Sequence, residues 1–164
     1  MKKIIIVSVC TYLLTTVIAF AADKNKGLSD LSKNATYVMS SSVGYTENND
    51  FLLKDGNRTG AAKDLFAFHT AEEDNPFIII DLNKKARVKL IEIENRFLDC
   101  CQEKAKTLTI WVSKDKKEWR KIWKAPKVEN NWIINTDTPN VQFIKIGLTE
   151  KSVLHLNKVR VYGN

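Results

Sequence analysis

The chain has 164 residues, of which 44% are hydrophobic and 27% charged, with a formal net charge of +7 and three cysteines. That is enough material for one domain with a proper core, and no apolar-poor linker divides it in two. The positive excess is modest for so charged a chain and reads as a solvated surface, which argues against nucleic acid as the partner.

The first segment, MKKIIIVSVCTYLLTTVIAFAAD, sets Lys2 and Lys3 before a long apolar run that exits through Ala19-Phe20-Ala21. This is the pattern of a secretory signal, residues 1–22, preceding a mature domain over 23–164. A retained membrane anchor is the rival reading, because the run nearly reaches spanning length. The Ala-rich exit and the charged KNK after it favour cleavage and export, with no membrane insertion afterwards. Removing Lys2 and Lys3 takes Lys+Arg from 26 to 24 against 19 acidic residues, so the mature form carries +5. Export leads to the periplasm, the cell surface or the medium, and it removes Cys10 with the signal.

Residues 28–70 are rich in Ser, Asn, Gly and Asp and hold at most two short strands. Loops of this kind on a rigid β scaffold are where binding sites concentrate. From Phe77 onward strand patterns recur: 77–82, 88–95, 107–113, 119–125, 131–135, 142–148 and 157–163. VKLIEIE alternates apolar and charged residues with the period of a half-buried strand, and KVRVY repeats this near the end. Pro76, Pro126 and Pro139 fall between these runs. Even spacing with almost no helical periodicity predicts an all-β antiparallel sandwich or barrel.

Cys100 and Cys101 stand side by side in ENRFLDCCQEK. In an oxidising compartment the pair becomes a disulfide and offers no thiolate, so nucleophilic catalysis with His69 or His155 as base is disfavoured. Adjacent cysteines also lack the reach by which two thiolates meet one zinc ion. Glu72, Glu73 and Asp74 beside Pro76 read as a solvated turn or strand entry. A ring between neighbours gains little loop-closure entropy, so a local role is expected. It would present a flat sulfur surface between Arg96 and Lys104. The bland alternative is two small buried residues packing a loop.

Five motifs, KDGNRT (54–59), FHTAEEDNPFIIIDL (68–82), ENRFLDCC (94–101), LTIWVSKDKKEW (108–119) and LHLNKVRVYG (154–163), resemble in order and spacing the discoidin-like domains related to coagulation-factor type C repeats. Within that superfamily the details are similar to fucolectins, the F-type lectins. The resemblance implies a jelly-roll β-sandwich of the galactose-binding-domain-like kind, with a shallow sugar site among loops at one end. It implies a non-enzymatic lectin for glycans, fucosylated ones among them. His69, Arg96 and Lys104 would donate hydrogen bonds, and a Cys100–Cys101 disulfide would pack on the sugar carbons.

This chain departs from the pattern in three places. Lys104 replaces an Arg and loses its planar fork. RFLDCC holds one residue more than the usual spacing. A calcium loop is represented by Asp55 and Asn57, but Lys158 occupies the position of the glutamate ligand, which opposes calcium, so no cofactor is firmly expected. Trp111 and Trp119 match positions that look like core, most of the four tryptophans are expected to be core, and Trp132 is the one with an alternative reading as exposed to ligand. His155 is expected to pack. The competing reading of the whole is a protein-interaction or adhesion module on the same scaffold. Oligomeric state stays open, multivalency being a common aid to weak single sites.

Overall fold

The computed structural model describes residues 27–43, 52–53, 66–96 and 100–164. The signal segment, Asp55 and Asn57 lie outside them. The strands are β1 (Ser29–Asp30), β2 (Thr36–Met39), β3 (Glu73–Asp74), β4 (Phe77–Asn95), β5 (Thr109–Ser113), β6 (Arg120–Lys124), β7 (Asn131–Gly147), β8 (Lys151–Ser152) and β9 (Leu156–Gly163). One sheet runs β1-β9-β4-β7-β5-β6 with β2 added to β4, and β3 pairs with β8. Every pairing is antiparallel.

The fold is an antiparallel β-sandwich, and two long strands make it one. The runs 77–82 and 88–95 are a single strand, β4, and 131–135 and 142–148 are a single strand, β7. Each turns a corner midway, where the β4–β7 register shifts between Asp81 and Ala86 and again up to Leu90. Asn83 and Asn140 supply the left-handed backbone there (φ 60° and 58°), a conformation asparagine tolerates better than most residues. Pro139 therefore lies inside β7, at the corner between paired Thr138 and Val141, where the ladder needs no N–H from it.

The bends fold one sheet into two layers. One holds β2, the first half of β4, the second half of β7, β5 and β6; the other holds β1, β9, the second half of β4 and the first half of β7. Ile78, Ile80, Ile110, Ile144 and Ile146 of the first layer face Ile91, Ile93, Ile134, Val159 and Val161 of the second within one buried cluster. Each such side chain contributes about 1.5–3 kcal/mol when fully buried.

The tryptophans follow the sequence expectation at Trp132 and depart from it at Trp111 and Trp119. Trp132 is 5% exposed, within the core, with Trp123 edge-on to it at 6.2 Å. Trp111 and Trp119 are only half-buried, and Trp111 lies on an outer face under the Lys145 ammonium, 5.2 Å away. Glu73 is no idle turn charge. It forms part of β3 and accepts hydrogen bonds from the hydroxyls of Ser40 and Ser41 at 2.6 Å each.

Candidate functional site

Backbone hydrogen bonds bring distant stretches together at the end of the sandwich where β4 stops and β9 starts. Residues 66–70 lie along the approach to β9: Ala67 N–H donates to the Leu156 carbonyl (2.8 Å) and Thr70 N–H to the Leu154 carbonyl (3.0 Å). The Thr70 hydroxyl accepts from Leu154 N–H at 2.9 Å. With Phe68 and Thr70 buried, Phe66 and His69 are left half-buried. The three rings cluster there: Phe66 and His69 meet edge-on at 5.3 Å, and His69 and His155 lie 5.4 Å apart. The Arg96 guanidinium sits 4.8 Å from the centre of the Phe66 ring.

Arg96 is held from behind. Asn95, buried at the end of β4, accepts from Arg96 N–H (2.8 Å) and donates to the carbonyls of Gln102 (3.3 Å) and Glu129 (3.1 Å). Gln102 in turn donates to the Arg96 carbonyl at 3.0 Å. These two amides clasp the loop that carries the cysteines. Cys100 and Cys101 are joined as a vicinal disulfide, with Cα atoms 3.8 Å apart. Cys101 takes a left-handed backbone (φ 69°) and opens the short 3-10 helix Gln102–Thr107. Lys104, half-buried in that helix, donates its N–H to the Cys101 carbonyl at 3.1 Å.

The electrostatics separate cations from imidazoles. Burial pulls the pKa of His69 down, and the charges of Arg96 and Lys104 lower it further against a raising hydrogen bond to Thr70. For His155 burial, then Arg96, His69 and Lys104, bring the pKa from 6.5 to about 4. Both imidazoles are therefore neutral at pH 7 while Arg96 and Lys104 carry charge. His69 Nδ1 is 2.8 Å from the Thr70 carbonyl. A carbonyl only accepts, so Nδ1 carries the proton and Nε2 of neutral His69 is an acceptor. His155 Nδ1 and Asn157 Nδ2, both buried, find no hydrogen-bond partner among the described residues.

This burial has a measurable consequence. His155 is 3% exposed. Its folded pKa lies below the unfolded value, so the unfolded chain binds the extra proton first. The stability tied to neutral His155 is complete above about pH 6.5 and is lost as pH falls toward 4. At pH 4.5 the loss is expected to be about 2–3 kcal/mol from this residue. Urea unfolding at pH 7 and 4.5 should show wild type losing that much more than His155→Gln; equal losses would contradict it.

The structure thus sets Arg96 and Lys104 both within electrostatic reach of His69, with the Cys100–Cys101 pair between the two cations in the chain. Sequence reasoning missed Phe66, Asn95 and Gln102, and gave His155 only a packing role. Lys158 lies on β9 opposite Glu94 of β4. Among the described residues no three His, Cys, Asp or Glu side chains converge to hold a metal ion. No helix among those residues is long and apolar enough to cross a membrane.

A family model for F5/F8 type C domains, described as NedA-like and galactose-binding, matches residues 53–146. No curated protein sequence matches the chain. Among solved structures, the fucolectin from striped bass (Morone saxatilis) serum superposes with a TM-score of 0.68 at 21% identity, over 83% of this chain and 49% of that one. The Streptococcus pneumoniae fucose-binding module SpX-3 gives 0.66 at 21% identity, over 84% of this chain and 99% of that one. The lectin domain of lectinolysin, complexed with Lewis b antigen, gives 0.64 at 15% identity, over 83% and 97%. At these identities the likeness establishes the shared fold.

Proposed function

We propose that this chain, which belongs to the F5/F8 type C family of NedA-like, galactose-binding domains, is an exported lectin-like module that reversibly binds a neutral sugar, with fucose the leading candidate. The observation that carries the reading is the cluster of Arg96, Phe66 and His69 at the loop end of the sandwich, with Lys104 hydrogen-bonded to Cys101 of the vicinal disulfide and near enough to His69 to lower its pKa. A neutral sugar presents hydroxyl and ring oxygens that accept hydrogen bonds and an apolar ring face. Fixed cations next to an apolar plate complement both. Neutral His69 adds an acceptor at Nε2 for a hydroxyl proton, in place of the donor role expected from sequence.

Support also comes from what similar structures bind: one is a fucose-binding module and another holds Lewis b. The arrangement supplies recognition and no bond-making step, so the reading is non-enzymatic. The N-terminal apolar segment supports export, and Lys158 at the glutamate position supports calcium-independent binding.

A glycan array with the oxidised mature protein tests this. Fucosylated hits should be lost in a His69→Ala, Arg96→Ala double variant and survive a chelator. A blank array from folded, oxidised protein would overturn the sugar reading and favour a protein-interaction module.

A further inference from the structure

The opposite end of the sandwich carries a feature that the sugar site does not use. The β5–β6 turn and the start of β6, residues 114–121, hold five Lys and Arg against Asp115 and Glu118, an excess of three, and Lys124 and Lys127 continue the run along β6 toward the other end. Charge that composition suggested was spread over the surface is concentrated on one hairpin. Lys127 pairs with Glu129 at 2.7 Å. Among the described residues no carboxylate comes within 4 Å of the charged ends of Lys114, Lys117, Arg120, Lys121 or Lys124. Asp115 is spent on the turn itself, accepting from the N–H groups of Lys117 (2.9 Å) and Glu118 (3.4 Å). The corner of β4 adds exposed Lys84 and Lys85 at the same end, next to Ala86, which pairs with Val141.

A cleft of about 360 Å³ opens between this hairpin and the corner of β7, lined by Ser113, Lys114, Glu118, Trp119, Arg120 and Asn140 among others. Trp119 is half-buried there, its Nε1 donating to the Lys116 carbonyl at 3.1 Å. We propose that this cleft and the basic hairpin form a second binding site, for an anionic polysaccharide. Arg120 and Lys114 hold its sulfate, phosphate or carboxylate groups, Trp119 lies against a sugar ring, and exposed Asn140 serves hydroxyls. Glu118 is the opposing charge in the lining, and the cations around it outnumber it. Nucleic acid fits less well. The other aromatic in the run, Trp123, packs inward on the core against Trp132, so the hairpin offers one ring and no ladder for stacked bases.

The experiment is titration of the intact mature protein with dextran sulfate, with neutral dextran and duplex DNA as comparisons. Dextran sulfate should bind and neutral dextran should not. Lys114→Ala with Arg120→Ala should weaken binding at least tenfold near 0.1 M salt and make the plot of log K against log salt shallower by about two. Trp119→Ala should weaken it several-fold. Lys106→Glu with Lys151→Glu, at the other end of the molecule, should leave it unchanged. Thermal midpoints near wild type show that the variants fold. The sugar reading is tested separately, because Arg96→Ala should keep dextran sulfate binding and the Lys114, Arg120 pair should keep fucose binding. Absence of dextran sulfate binding, equal loss in the Lys106, Lys151 variant, or tighter binding of duplex DNA would each overturn the proposal.

Discussion

Arg96→Ala is expected to weaken fucoside binding by about a hundredfold or more while moving the thermal midpoint by only a few degrees. The guanidinium is pre-placed: it lies 4.8 Å from the centre of the Phe66 ring, and its backbone is clasped by Asn95 and Gln102. Little ordering cost then remains when a sugar arrives. Two hydrogen bonds from a charged donor are worth about 1.5–3 kcal/mol each, which sets the scale of the loss. Stability changes far less, because a partly exposed cation over an aromatic ring contributes about 0.5–1 kcal/mol. Arg96→Lys should recover part of the affinity, keeping the charge but not the planar fork. Titration calorimetry with a fucoside, paired with thermal melts, reads both quantities. Undiminished affinity in Arg96→Ala would remove this residue from the site.

The largest stability effect is expected at Gly163, at the corner end of the sandwich away from Arg96 and Lys104. A Cβ added there would lie 2.0 Å from the Arg87 carbonyl oxygen and 3.1 Å from a Leu31 methyl. That carbonyl cannot yield easily, because it accepts from Asn164 N–H (3.1 Å) while Arg87 N–H donates to the Asn164 carbonyl (2.7 Å). Relief requires separating β9 from the corner of β4, beside the pair of Gly163 with Val88. Gly163→Ala should cost about 3 kcal/mol and lower the thermal midpoint by roughly 10 °C. A midpoint within 2 °C or so of wild type would show that the strands part more readily than this packing allows.

The layers were legible because alternation largely survives in the strands: Ile91 and Ile93 of VKLIEIEN and Val159 and Val161 of KVRVY enter the core, although Leu90 and Arg160 on the opposite face are buried as well. The continuity of β4 and β7 was not. Their corners carry exposed polar residues, with Asn83 and Asn140 in a turn-like backbone, so a bent strand reads as two strands and a loop. The site divided in the same way. His69, Arg96 and the cysteine pair belong to ordered motifs, whereas Phe66 and Gln102 acquire meaning only when strand ends converge. One signal was present in the sequence. Asn95 follows Ile91 and Ile93 at an inward position of its strand, and a polar side chain there implies a buried amide with backbone to satisfy. Asn157, in step with Val159 and Val161, carries the same signal.

The most direct test of the sugar site is a titration of the isotopically labelled, oxidised protein with L-fucose, followed by amide chemical shifts. Saturable shifts at His69, Thr70, Arg96 and Cys101–Lys104, with the 114–120 turn unmoved, are the expected result. Shifts confined to other surfaces, or none at millimolar sugar from folded protein, would contradict a fucose site built on Arg96 and the vicinal disulfide.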